Sequence, residues 1–282
     1  MSLNVQREAL IAAADALTTA IQQKVIDLDE RVVVERRAVE TTYGSMLNKN
    51  LFVDAVLGLD TNEGGRGSPV KTIAEAVNRV LVGGSATIHL MGGQTFEVGA
   101  GTPQGTIDVN HKSITFTKVG VGDNPVILGI GAPYPPSHHY VCNAFTAPDH
   151  MNLKFSQIVI DTGTIPTKGT LYTTNDWGGF FCRSNDYGAS AKYELKFWSS
   201  KLIVRDYPTM TTLYGYLDFA MATTTVERAG PHQKVLGVAI PKVLDFHNVT
   251  IRNYAQGVSV EDLFSMTPNA YIARKSAINF AV

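Results

Sequence analysis

Residues 153–160 read Leu-Lys-Phe-Ser-Gln-Ile-Val-Ile, and the opening of that stretch returns as Leu195-Lys196-Phe197, Leu217-Asp218-Phe219 and Leu244-Asp245-Phe246. Each copy runs on to a second β-rich stretch: Ile158-Val159-Ile160, Leu202-Ile203-Val204, Thr223–Val226 and Val249-Thr250-Ile251. Ser113-Ile114-Thr115-Phe116 is a looser fifth copy. The phenylalanines lie 39, 42, 22 and 27 residues apart, and the two shorter spacings fit one solenoid turn each while the longer ones fit turns carrying insertions. Alternation along a strand puts Leu and Phe on one face and the charged residue on the other. Stacking such units buries a continuous apolar column, which one unit alone cannot do. A β-sandwich also alternates but has no reason to repeat a three-residue signature. The expected fold is therefore mainly β, a parallel β-helix (solenoid) over residues 51–282.

Composition changes near residue 50. Residues 1–50 hold a single glycine, Gly44, no proline and 13 charged residues, whereas the rest of the chain holds 24 glycines and all 12 prolines. A segment without Gly or Pro and rich in Ala, Glu, Arg and Leu reads as one long helix. Ile11, Ala14, Thr18, Ile21, Val25, Leu28, Val32, Glu35 and Val39 alternate by three and four, which is a heptad seam. Ile11, Ile21, Val25, Leu28, Val32 and Val39 are the candidate oligomerisation residues, and the segment is expected to be a stem that pairs with copies of itself. The plainer alternative is an amphipathic helix docked on its own domain. In the second segment, Ser68 is a candidate N-cap and Pro69 a first helical residue. Ile73, Ala76, Val77 and Val80 would then give one apolar face to a helix over about 69–81.

The chain has 282 residues, with 24 Lys+Arg against 25 Asp+Glu. That balance argues against a nucleic-acid partner, since phosphate affinity needs a clustered positive excess. Apolar residues at 44% and charged residues at 17% belong to a folded protein. No run of about 18 apolar residues predicts membrane insertion. Cys142 and Cys182 are too few for a disulfide framework and read as free thiols of a protein assembled in a reducing cytosol.

Asp218 and Asp245 occupy the same place in consecutive signatures, so the repeat sets them side by side at about the 4.8 Å strand spacing. Two carboxylates that close could serve glycoside hydrolysis. Lys154 and Lys196 continue the same row, however, and a ladder of this kind is more simply a solvated charged face, with Lys196 beside Asp218 as a surface pair. No catalytic residue is assigned. Asp60-Thr61-Asn62-Glu63-Gly64 has the oxygen spacing of a calcium loop without its downstream Glu. His138, His139 and His150 lack a completing ligand at a recognisable spacing. No metal or cofactor is therefore expected. The insertion before the Leu195 signature, Thr170–Phe181 and Asn185–Gly188, mixes aromatics with short polar groups. Tyr172, Trp177 and Tyr187 are its candidate glycan-binding residues, because rings stack on sugars and Asn or Asp accept from hydroxyls. Packing of the same rings into a core is the competing reading.

A resemblance adds to this. Asp54, Leu59–Gly64, Ser68-Pro69-Val70-Lys71-Thr72-Ile73, Ala76-Val77, Ile88-His89-Leu90 and Gly93-Gln94-Thr95-Phe96 together resemble the opening segment of pectin-lyase-like right-handed β-helices. The match covers about residues 52–98. Bacteriophage tail fibres and tailspikes share that module, commonly behind a helical stem. The resemblance implies a structural and adhesive virion protein, a homotrimer assembled in the host cytoplasm. It would attach to other tail or baseplate proteins through residues 1–50 and contact a host surface glycan or protein receptor. A glycan depolymerase (a glycoside hydrolase or polysaccharide lyase) and a capsid decoration or head fibre protein are the rival readings.

Overall fold

The computed structural model describes residues 3–134, 139–165, 178–182, 191–211, 215–230, 234–236, 242–255, 258–265 and 270–281. It is mainly β, with a long N-terminal helix and a large parallel sheet. The chain divides into two units, Met1–Met46 and Leu47–Val282.

Helix α1 spans Leu3–Leu47, 45 residues, or about 68 Å at 1.5 Å per residue. It passes through Gly44. One helical glycine costs only about 1 kcal/mol, which an otherwise uninterrupted helix absorbs. The seam residues Ile11, Ile21, Val25, Leu28, Val32 and Val39 are all between 51% and 60% exposed.

Strand β1 (Asn48–Val53) follows without a linker, then α2 (Ile73–Asn78), β2 (Ser85–Met91), β3 (Thr95–Val98), β4 (Ile107–Asp108), β5 (Lys112–Val119) and β6 (Val126–Gly129). Next come β7 (Ala132–Tyr134), β8 (His139–Val141), β9 (Phe145–Thr146), β10 (His150–Ser156), β11 (Val159–Asp161), β12 (Phe181–Cys182) and β13 (Lys192–Trp198). The order closes with β14 (Lys201–Val204), β15 (Met210–Thr211), β16 (Tyr216–Ala222), β17 (Thr225–Arg228), β18 (Lys242–Arg252), α3 (Val260–Leu263) and β19 (Ala270–Ala281).

The large sheet has two arms. One runs β1-β2-β5-β10-β13-β16-β18, the other β18-β17-β14-β11-β6-β3, and the long β18 belongs to both. A second sheet runs β15-β12-β9-β4. All of these pairings are parallel, and across the middle of the sheet each strand pairs with strands from the signatures before and after it. The signature residues face inward as the alternation predicts: Phe155, Phe197, Phe219 and Phe246 are fully buried. Phe155 stacks on Phe116 at 5.2 Å and on Phe197 at 5.1 Å, while Phe219 and Phe246 both pack on Phe264.

Four signatures turn from one arm to the other through a residue with positive φ: Gln157 (58°), Ser199 (47°), Thr223 (49°) and Asn248 (52°). Each of the first three donates its N–H to the next strand's turn: Gln157 to the Trp198 carbonyl, Ser199 to Ala222 and Thr223 to His247. The hydroxyls of Ser200 and Thr224, buried just after two of these turns, face the carbonyls of Trp198 at 2.8 Å and Ala222 at 3.0 Å. In the first three signatures, the signature and its second run are thus two strands with a left-handed residue between them.

The helix expected over 69–81 is shorter and starts later, because Val70 is committed to β1. The Val70 N–H donates to the Phe52 carbonyl at 3.0 Å, and its own carbonyl accepts from Asp54 at 2.9 Å. A Cβ on Gly58 would sit 2.3 Å from that carbonyl, so the loop closes here only with glycine. Thr72, not Ser68, is the N-cap, accepting from the Glu75 N–H. Asp60 fixes it: one oxygen accepts from the N–H groups of Lys71 and Thr72, the other from the Thr72 hydroxyl. The carboxylate that suggested a calcium loop is thus a backbone cap. Ile73, Ala76, Val77 and Val80 are buried.

Candidate functional site

The outward face of the first arm carries the charged signature residues, and the strand register decides which of them meet. Lys154 pairs with Lys196, as expected. From β13 to β16 the signature slips by two residues: Leu195 lies opposite Phe219, Glu194 opposite Asp218 and Lys196 opposite Ala220. From β16 to β18, Asp218 lies opposite Val243 and Ala220 opposite Asp245. Asp218 and Asp245 are therefore not side by side, which corrects the placement read from the repeat. One outward row is Asn152, Glu194, Asp218, Val243; the other is Lys154, Lys196, Ala220, Asp245.

Lys196 sits where these rows meet. It forms an ion pair with Glu194, two residues back on its own strand, and its Nζ lies 3.9 Å from Asp218. The hydrogen bond that Lys196 donates to Glu194 outweighs the loss of hydration, so Lys196 is held above the ordinary ammonium value, with Asp218 and Asp245 adding to the effect. Burial works against the Glu194 charge, but Lys196, Lys154 and Lys192 prevail and hold this carboxyl below the ordinary range. A general acid for glycoside hydrolysis needs the opposite shift. Glu194 therefore stays an anion that accepts hydrogen bonds.

Two aromatic side chains flank this cluster, and sequence reasoning passed over both. Trp198 is 38% exposed, and its neighbours in register are Ser156 and Ala222. Small residues on both sides leave the indole faces open. Tyr216, 39% exposed, pairs with Lys192 at the start of the same face. Six residues along the strand separate these two positions, about 20 Å at 3.3 Å per residue. The signal was present, since Trp198 directly follows a signature phenylalanine and must point outward. A ring at each end with carboxylates and an ammonium between can stack on apolar ring faces and hydrogen-bond hydroxyls.

Tyr172, Trp177 and Tyr187, the insertion residues expected to bind glycan, lie outside the described residues, as does His138. His150 is on β10 with its ring 6.0 Å from that of His111, which also faces Asp149 at 3.8 Å. Among the described residues no three His, Cys, Asp or Glu side chains converge on a metal-sized site, and no helix is long and apolar enough to cross a membrane. Cys142 and Cys182 are free and buried. Burial pushes the Cys142 thiol up to about 12 and raises Cys182 as well, so neither is a nucleophile near neutral pH.

No family model and no curated protein matches the chain. Among solved structures, the chain is similar to the selenomethionine derivative of a GH136 lacto-N-biosidase from Eubacterium ramulus. The identity is 12% and the TM-score 0.42, over 73% of this chain and 43% of that one. The native form of the same protein gives 14% identity and a TM-score of 0.34, over 89% of this chain and 43% of that one. The chain spans 43% of the length of either, and a likeness this loose carries no conclusion about fold or activity.

Proposed function

We propose that the chain is a structural and adhesive virion protein, a bacteriophage tail fibre or tailspike-like appendage built on a right-handed parallel β-helix with a homotrimeric helical stem. The observation that carries this reading is the register of the parallel pairings. The chain visits the first arm, the second arm and the small sheet in rotation, each visit stacking on the one before, which is how a three-faced solenoid is wound. The resemblance of residues 52–98 to pectin-lyase-like β-helices supports the same winding. The stem follows from α1, whose apolar heptad seam residues are 51% to 60% exposed. The choice of three strands comes from the resemblance, because the seam mixes residue types that do not select a number.

In this reading α1 docks on tail or baseplate proteins, and the face between Trp198 and Tyr216 is the surface for a host glycan. Binding is favoured over cleavage because Glu194 is held ionised and the Asp218–Asp245 pair is not formed. Trp198→Ala should lower adsorption of intact particles to host cells at least tenfold while particles still assemble. An antibody to the β unit should label a tail appendage in electron micrographs. Label on the capsid would move the chain to the head-fibre reading, unaltered adsorption would remove Trp198 from the binding face, and cleavage of purified surface polysaccharide would make it an enzyme.

A further inference from the structure

The first strands of the first arm carry a polar groove. Alternation along β1, β2 and β5 turns Asn48, Asn50, Ser85, Thr87, Ser113 and Thr115 outward. The register aligns them, with Asn48, Ser85 and Ser113 in one row and Asn50, Thr87 and Thr115 in the next. They line a groove of about 220 Å³. Pockets for drug-sized ligands hold roughly 300–1,000 Å³, so this one takes a single small unit of a larger molecule. The Ser85 hydroxyl donates to the Asn48 amide oxygen. The hydroxyls of Thr87, Ser113 and Thr115 have no hydrogen-bond partner among the described residues. Two residues further along β1 and β2, Phe52 and His89 stack with ring centroids 4.5 Å apart and planes 15° apart. Burial, and then Arg66, lowers His89, so its ring is neutral at pH 7, with Nε2 3.5 Å from Asn50 Oδ1.

Lys154 stands at the edge of this groove, opposite Thr115 in the register. Its neighbour Lys196 is paired with Glu194 and faces Asp218. Lys154 acts on Glu194 through space, yet it forms no ion pair among the described residues. The outward positions of β1, β2, β5 and β10 carry no carboxylate. We propose that this groove binds an acidic saccharide, one sugar lying in the groove beside the Phe52–His89 rings with its carboxylate on the Lys154 ammonium. The inference rests on the reading of the first arm as a glycan surface, and it adds the class of the ligand and a second place for it. Uncharged hydroxyls and amides exchange hydrogen bonds with sugar hydroxyls at no cost in buried charge. An ammonium without a partner supplies the counter-charge, and a charge-assisted hydrogen bond is about twice as strong as a neutral one. Beyond β13 an anion would instead meet Glu194, Asp218 and Asp245. Phe52, His89, Thr117, Ser156 and Trp198 form one outward row. Four strand spacings separate its ends, about 19 Å, so one extended chain of sugars can touch both the groove and Trp198.

Calorimetric titration of the full chain tests this with hexamers of alginate, hyaluronan and α2,8-linked sialic acid, their carboxyl-reduced forms, and a glycerol phosphate hexamer. At least one carboxylated hexamer should bind, and its carboxyl-reduced form should bind at least tenfold more weakly. Lys154→Met should lower affinity for the carboxylated form at least tenfold and leave the reduced form unchanged, while Lys154→Arg restores binding and Lys71→Met has no effect. Thr87→Val with Thr115→Val should weaken both forms alike. Circular dichroism and melting should match the wild type in every variant, since none of these side chains is buried. Equal affinity for the two forms, or for wild type and Lys154→Met, overturns the acidic class and leaves the glycan surface. Binding of the glycerol phosphate hexamer alone overturns the carboxylate. If no hexamer binds while Trp198→Ala still lowers particle adsorption, the groove is overturned by itself. If no hexamer binds and Trp198→Ala changes nothing, the glycan surface falls with it.

Discussion

Thr223 carries a backbone strain that its chemistry does not favour. It is an exposed β-branched residue at φ 49°, where most L-residues are disfavoured and branched ones most of all. Its equivalent in the next signature, Asn248 at 52°, is the residue type that tolerates this region. The bond made at the turn is from its N–H to His247 at 2.9 Å, which any residue but proline supplies. Thr223→Asn should therefore raise stability by about 1 kcal/mol in urea unfolding. A loss would mean that the Thr223 side chain supports the turn. These left-handed turns were not legible in the sequence, because Gln157, Ser199, Thr223 and Asn248 share no residue type and the demand is on the backbone.

Among the elements, the signature strands were legible and their register was not. A shift of two residues keeps every apolar side chain on the inward face, so burial alone cannot tell Phe219 aligned with Phe197 from Phe219 aligned with Leu195. The structure takes the second, leaving Met221 opposite Phe197 and Phe246. A flexible thioether fills a phenylalanine site well enough to permit this. The slip matters for function, because it parts Asp218 from Asp245 and puts Lys196 between Glu194 and Asp218. Helix α1 was legible from composition, since 45 residues with one glycine and no proline leave no stop signal. As a separate unit it can be removed without opening the sheet core. Deleting residues 1–46 should leave a folded β unit that sediments as a monomer at micromolar concentration and is missing from particles. If the truncated chain still sediments as a trimer, the stem does not set the assembly.

At the scale of the whole molecule, buried ionisable groups oppose one another and fix how stability responds to pH. Lys242 is fully buried on β18, and burial with nearby Lys234 lowers it from 10.5 to about 8. Between those values the unfolded chain binds more protons, so this group makes stability rise with pH by about 1.4 kcal/mol per unit. The two thiols act the other way. Burial raises both above the ordinary 9.0, so above that pH the unfolded chain sheds two protons that the folded chain keeps. Lys112, which burial also lowers, adds to the rise from Lys242, so the opposing loss from the two thiols levels the curve above about pH 9. Burial also raises Tyr207 and Tyr254, which makes stability fall once free tyrosine ionises above pH 10. On the acid side His89 and His150 are both lowered, chiefly by burial, so stability is present above pH 6.5 and lost as pH falls through that value. Urea unfolding under reducing conditions should therefore show the rise of stability with pH stopping near pH 9. Cys142→Ala with Cys182→Ala should remove the opposing slope and let stability keep rising between pH 9 and 10. A wild-type curve that climbs through pH 10 would mean that the thiols are not held protonated, and a double variant that still falls there would mean that Lys242 is not held neutral.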